Sequence, residues 1–419
     1  MNKIFINKKF LFYLIILSVF TFLLRFPYFF GLRSGDEASY ILLGQWIVDK
    51  NLPEIGLSIA KNPFPFFIYS FVIEIFGKSF LAIRIAAYLF TLSTSIILYF
   101  ILRKRFTDDF AFFGALLYAL FASIFIDNGA LQALFLEHIG NFFILLSFLI
   151  LININFDKKN FYLFFIVGIF LGFATQSRLN LSILAFSTVF VPFILNYEKN
   201  FKKALLQSFS ICLGGLISLI PVIIQYVIAN NFQAYLNATI FGPFDYTIQF
   251  SRLYTFLKLI YNGLNLNLSF DKDYQNLFKF LVNFYFFIIS IFYCLFKNFR
   301  DFSIKLVDKK FEFLISYYLL FIAVGIILTN RNYAHYLIQI VPFLIFYFIS
   351  FHFKYFSKKN NILVISSIFI MTFLIVTKNY KNLINHYTKY KNFEIGKCFD
   401  VKRILEKNDF NKDTQMYAF

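Results

Sequence analysis

The chain has 419 residues, 59% of them hydrophobic and only 15% charged, with a formal net charge of +18. A composition this apolar excludes an ordinary soluble domain and fits a chain that crosses a bilayer many times. The positive charge does not point to nucleic acid, because Lys and Arg punctuate the ends of apolar runs and form no basic stripe interleaved with aromatics. Cys212, Cys294 and Cys398 lie far apart and the four His are scattered, so neither a disulfide framework nor a metal-ligand spacing is indicated.

The N-terminus combines a basic start with an apolar stretch and has no small-residue cleavage site, which reads as a retained anchor. Apolar runs at Phe10–Phe30, Phe80–Leu102, Phe110–Ile126, Leu134–Ile152, Phe161–Thr175 and Leu179–Leu195 read as membrane spans. Runs at Leu205–Ala229, Phe280–Phe296, Phe311–Leu328, Tyr336–Phe353 and Ile362–Thr377 read the same way. The stretch Pro63–Gly77 is different. At about 15 residues, with two prolines and Glu74, it is short for a span and suits an interfacial helix.

Charge decides its placement. With Pro63–Gly77 in the interface, the clusters Arg103-Lys-Arg105, Lys158-Lys159 and Lys199 to Lys203 fall on the same side as Lys3, Lys8 and Lys9. Lys297 to Lys310 and Lys354 to Lys359 join them, giving about 19 basic residues in cytoplasmic segments and almost none in the short outer turns. The expected architecture is therefore all-α and polytopic, with about eleven spans, a cytoplasmic N-terminus and an outer C-terminus. A bacterial inner (plasma) membrane is the expected location. Residues 1–377 form the membrane domain, with outer loops at 31–79 and 230–279, and 378–419 form a short outer tail.

Ionisable groups gather where solubility does not require them. The first outer loop carries Asp36 and Glu37 in Arg33-Ser-Gly-Asp-Glu-Ala-Ser-Tyr40, and Lys61 in Lys61-Asn-Pro63. Arg84 lies a turn inside the second span, Glu137 opens the fourth, and Arg178 occupies an outer turn. Arg331, His335 and Tyr336 lie at the mouth of the tenth. A charge within hydrocarbon costs at least a few kcal/mol, so such residues line a cavity, pair with one another, or snorkel to headgroups. An acidic pair beside cations at a membrane surface suits chemistry on a lipid phosphate: a carboxylate takes a proton from a hydroxyl while cations hold the departing phosphate.

The order Arg25-Phe-Pro27, Asp36-Glu37, Tyr40, Lys61-Asn-Pro63, Phe76-Gly77, Arg84 resembles the start of the C-type, polyprenyl-phosphate-sugar-dependent glycosyltransferases. It is most similar to the protein O-mannosyltransferases and the lipid A aminoarabinose transferases. Glu137, Arg178 and Asn330-Arg-Asn-Tyr-Ala-His-Tyr336 resemble the family's later outer-turn positions. Two departures stand out: the family's Lys-Pro-Pro is Lys61-Asn-Pro63 here, and the acidic residue often preceding that Lys is Ala60. The resemblance implies inverting transfer of a monosaccharide from a polyprenyl-phosphate donor to an acceptor hydroxyl on a lipid, polysaccharide or protein at the outer face. Asp36 matches the presumed base, with Glu37 beside it in the catalytic pair. Lys61, Arg84, Glu137, Arg178, Arg331, His335 and Tyr336 are the expected substrate- and phosphate-binding set. No metal site and no required cofactor are expected, although some relatives use a divalent cation. The lipid bilayer is an expected partner and nucleic acid is not. A lipid-linked-sugar flippase or other transporter, and a polymerase or ligase of lipid-linked glycans, are the alternatives.

This topology makes a direct prediction. Single cysteines at Ser34 and Lys104 are expected to be labelled by impermeant thiol reagents from opposite sides, Ser34 from outside. Outer labelling at Lys104 would overturn the arrangement.

Overall fold

The computed structural model describes residues 8–29, 35–49, 61–126, 131–196, 200–241, 274–301, 310–329 and 333–355, with 372, 373, 377, 380 and 381. The chain divides into two units, Met1–Asn361 and Ile362–Phe419, and the helices below belong to the first. Most of the eleventh expected span, residues 242–273 of the second outer loop and nearly all of the tail lie outside the described residues. Among the described residues there is no strand.

Helix α1 (Lys8–Arg25) runs into a short 3-10 turn at Pro27. Then follow α2 (Gly35–Val48), α3 (Phe64–Phe76), α4 (Phe80–Leu102) and α5 (Asp108–Leu120), the last ending in a π turn at Phe121–Phe125. Next come α6 (Leu136–Asn153), α7 (Phe161–Ser177), the short α8 (Ser182–Thr188) and α9 (Val191–Asn196), α10 (Phe201–Ile217) and α11 (Ile220–Ile228). The rest are α12 (Phe232–Leu236), α13 (Tyr274–Asp301), α14 (Lys310–Leu328) and α15 (Val341–Tyr355). Six segments are long and apolar enough to cross a bilayer, and the shorter apolar helices include Phe161–Ser177, Leu179–Leu195, Leu281–Lys297 and Val341–Tyr355. Together these ten coincide with the first ten expected spans. The protein is a multi-pass integral membrane protein.

Local chemistry explains the breaks. Pro63 and Pro65 sit at the start of α3, where a missing N–H costs no hydrogen bond, and Gly77 ends it at φ +83°. Ser79 then caps α4, its hydroxyl accepting the Ala82 N–H at 3.1 Å. At 13 residues α3 is too short to span, and it packs against α2, α4 and α7.

Lipid tails are as apolar as the side chains, so packing holds the helices together. Large apolar residues such as Phe186 and Ile228 remain about 70% exposed, as a lipid-facing surface requires. Where α7 crosses α10, a Cβ on Gly168 would run into the Ile211 carbonyl, and one on Gly214 into the Phe165 carbonyl. Likewise, a Cβ on Gly44 would lie 2.6 Å from that of Tyr69, which brings α2 tightly onto α3.

The neighbouring glycine supplies a control, because a Cβ on Gly215 would meet only the Gly168 carbonyl at 3.7 Å. Gly214→Ala is expected to destabilise by about 1–3 kcal/mol through overpacking. Gly215→Ala should be neutral or slightly stabilising, as helix propensity favours Ala. Thermal melts of the two variants in detergent check this, and equal melting points would refute the crossing.

Candidate active site

The site assembles where the N-termini of α2, α4 and α6 meet the C-terminus of α7 and the entry to α15. In α2, successive residues are about 100° apart, so adjacent acids cannot share a face. Glu37 turns inward and bonds Arg84 of α4 at 2.6 Å, with both side chains 1% exposed. Asp36 therefore projects outward, 54% exposed. Tyr40, four residues on, lies over the same side of the helix. Lys61 joins the two: its ammonium donates to the Tyr40 hydroxyl at 2.7 Å, stands 4.6 Å from that ring and lies 3.8 Å from Asp36. Burial pulls the Lys61 ammonium down to about 8, opposed by the Asp36 carboxylate.

A second pair lies within electrostatic reach of Lys61 and Tyr40. Arg178, the C-cap residue of α7, bonds Glu137 in the first turn of α6. His335 Nε2 approaches the same carboxylate at 3.6 Å. Its ring is stacked between Phe135 and Tyr333, at 5.0 and 5.4 Å, with the Tyr336 ring edge-on. The Arg178 guanidinium lies 4.9 Å from the Tyr336 ring. Stacking of Phe64 on Phe173 at 5.0 Å carries the start of α3, and Lys61 before it, onto α7.

Arg25, of the Arg25-Phe-Pro27 motif, is a buried clamp. Its guanidinium donates to the carbonyls of Ala122, Leu131 and Gln132 at 3.2, 3.0 and 2.9 Å. These are carbonyls that the π turn and the irregular entry to α6 leave outside helical bonding, so Arg25 fixes where Glu137 emerges. The Tyr69 hydroxyl bonds the Leu134 carbonyl, tying α3 to the same entry.

Of the expected site residues, the structure thus gathers Asp36, Lys61, Glu137, Arg178, His335 and Tyr336 into one region. Glu37 and Arg84 form a sealed pair beneath it, and Arg331 lies outside the described residues. Tyr40 as the partner of Lys61 was not assigned from sequence, although its i+4 spacing from Asp36 was the available signal. Phe135 and Tyr333, which sandwich His335, had no signal. Among the described residues no group of three or more His, Cys, Asp or Glu could hold a metal ion.

Residues 60–226 match the family described as dolichyl-phosphate-mannose-protein mannosyltransferase. The match runs from just before α3 into α11, less than half of the chain. The matched range holds Lys61, Arg84, Glu137 and Arg178, while Asp36 and Glu37 precede it. The crystal structure of the Archaeoglobus fulgidus oligosaccharyltransferase, tethered to an acceptor peptide containing the NVT sequon, aligns with 90% of this chain at 13% identity and a TM-score of 0.48. The alignment covers 55% of that protein, so the chain spans about half its length. No curated protein sequence matches significantly.

The sealed pair makes a prediction independent of catalysis. Removing one partner leaves the other charged in a dry interior, so Glu37→Gln or Arg84→Gln alone is expected to cost about 3–5 kcal/mol. The double variant should recover part of that loss. Thermal melts of the three variants test the coupling, and additive losses would rule it out.

Proposed function

We propose that the enzyme transfers a monosaccharide from a polyprenyl-phosphate donor to an acceptor hydroxyl at the outer face of the membrane, with inversion. The observation that carries this reading is the exposed Asp36 carboxylate beside the Lys61 ammonium, in a chain whose residues 60–226 match a lipid-phosphate-dependent transferase family. Asp36 takes the proton of the acceptor hydroxyl as that oxygen bonds the anomeric carbon. The bond from that carbon to the phosphate oxygen breaks on the opposite face, its electron pair leaving with the polyprenyl phosphate.

Lys61, Arg178 and Arg331 hold the departing phosphate, where negative charge concentrates, and fixed cations at a poorly hydrated interface stabilise that charge better than water-exposed ones. Arg178 brings a planar fork to two oxygens, and Lys61 acts as a point charge. Glu37 and Arg84 serve as the brace that aims Asp36. Glu137, with His335 and Tyr336 around it, orients Arg178. The acceptor is a lipid, a polysaccharide or a protein, and the enzyme sits in a bacterial inner membrane with its N-terminus inside.

Purified protein with labelled polyprenyl-phosphate sugar tests the reading. Acceptor-dependent release of free polyprenyl phosphate supports it, and movement of intact donor across vesicles would favour a flippase. Asp36→Asn keeps the side-chain shape but cannot accept the proton, so turnover is expected to fall about 10²–10⁴-fold at unchanged membrane abundance. Full activity in that variant removes Asp36 from the mechanism.

Lys61 adds a pH dependence. Its ammonium is cationic below about pH 8 and neutral above it, so attraction for the phosphate is present at low pH and lost as pH rises through 8. A seated phosphate favours the ammonium, so the falling limb should appear near pH 8 in kcat/KM for donor and at higher pH in kcat. Lys61→Arg should abolish the limb, because Arg stays charged. A limb that persists in Lys61→Arg belongs to another group.

A further inference from the structure

The described part of the site and its support hold four cations, Arg25, Lys61, Arg84 and Arg178, against three carboxylates, Asp36, Glu37 and Glu137. Arg25 is committed to backbone carbonyls. Two ion pairs are closed: both members of Glu37–Arg84 are 1% exposed, and Glu137–Arg178 is 0% and 12% exposed. The third is open, with Lys61 26% and Asp36 54% exposed and their charged atoms 3.8 Å apart.

An arriving phosphate must draw on one of these cations. Arg178 can offer a phosphate its other N–H groups while keeping Glu137, but pulling Arg84 or Arg178 off its carboxylate would bare a buried negative charge, at a cost of several kcal/mol. Taking Lys61 from Asp36 strands nothing, because water reaches the released carboxylate and an exposed pair is worth at most about 1 kcal/mol. Lys61 has the means to exchange partners. An ammonium has three N–H donors, one directed at the Tyr40 hydroxyl, and the Tyr40 ring steadies the charge while another donor changes acceptor.

We propose that the donor phosphate and the Asp36 carboxylate compete for Lys61, so that Asp36 is restrained in the resting enzyme and released as a base only when the donor is seated. This inference rests on the reading of Lys61 as a phosphate holder and Asp36 as the base. A carboxylate that shares an ammonium is a poor proton acceptor. A phosphate that draws the ammonium away from its place 3.8 Å from Asp36 leaves that carboxylate open to the acceptor hydroxyl. The acceptor hydroxyl is then activated only opposite a loaded donor, and the order of events is donor first.

Chemical footprinting of the full-length protein in nanodiscs, with polyprenyl phosphate as the probe, separates the possibilities. Amine acylation reports on Lys61, and carbodiimide coupling, which consumes protonated carboxyls, reports on Asp36. Both are read by peptide mass spectrometry. Saturating probe is expected to protect Lys61 and to speed coupling at Asp36 roughly two- to fivefold, the size of losing one exposed ion pair. Coupling at the sealed Glu37 should not change, and polyprenol without phosphate should leave both labels as they were. In Lys61→Met, Asp36 should couple faster from the start and ignore the probe. Protection of Lys61 with unchanged or slowed coupling at Asp36 overturns the exchange and leaves the donor reading standing. Failure of the probe to protect Lys61 overturns both, and polyprenol acting like its phosphate would show that the tail, not the anion, drives the change.

Discussion

The ion pair between Glu37 and Arg84 is the constraint on which the geometry of the site depends. It joins a short helix between the first two expected spans to the long apolar helix α4 through two charges that are 1% exposed. Such a pair contributes little net stability over a well-packed apolar replacement, because both ions have been taken out of water. Its effect is on orientation. Once Glu37 has to face Arg84, the rotation of α2 about its own axis is fixed, and Asp36 has to face the open side. Gly44 then lets α2 lie against α3, whose first turn follows directly on Lys61. The acid that is sealed thereby sets the position of the acid that is not.

The remaining cations follow the same economy. A fixed positive charge waiting at a poorly hydrated interface needs a partner before any substrate arrives, and each of the described ones has one. Arg178 holds Glu137, Lys61 holds Asp36 and the Tyr40 hydroxyl, and Arg25 is surrounded by carbonyls. The pairs differ in how much water reaches them, and that difference decides which can be opened cheaply.

Much of this was legible in the sequence, for reasons that can be named. Apolar length marked ten helical segments, six of them long and apolar enough to cross a bilayer, because that signal is local. The ionisable residues stood out because charge beside hydrocarbon is costly and therefore rare. What the sequence did not carry was the pairing. Glu37 and Arg84 are 47 residues apart, and only the packing of α2 on α3 and of α3 on α4 brings them together. Arg84 looked available for phosphate until that packing was known. Nor did the sequence announce the partners of Arg25, the backbone carbonyls of Ala122 in the π turn and of Leu131 and Gln132 before α6.

Helix ends supply the last part of the electrostatic frame. Asp36 and Glu37 lie in the first turn of α2 and Glu137 in the first turn of α6, where unpaired N–H groups and the positive end of the helix dipole attract an anion. Arg178 caps the C-terminus of α7, where the dipole has the opposite sign and attracts a cation. Because α6 and α7 are consecutive and antiparallel, their opposite poles arrive side by side, and Glu137 and Arg178 meet with each charge already matched to its own helix. The same charges placed in mid-helix would face only apolar neighbours and satisfied peptide groups. Antiparallel spans that end at one surface therefore do more than hold the site at the right depth. Their backbones provide a fixed field that keeps acids and cations of opposite sign in contact without bulk water, the setting in which a departing phosphate is best stabilised.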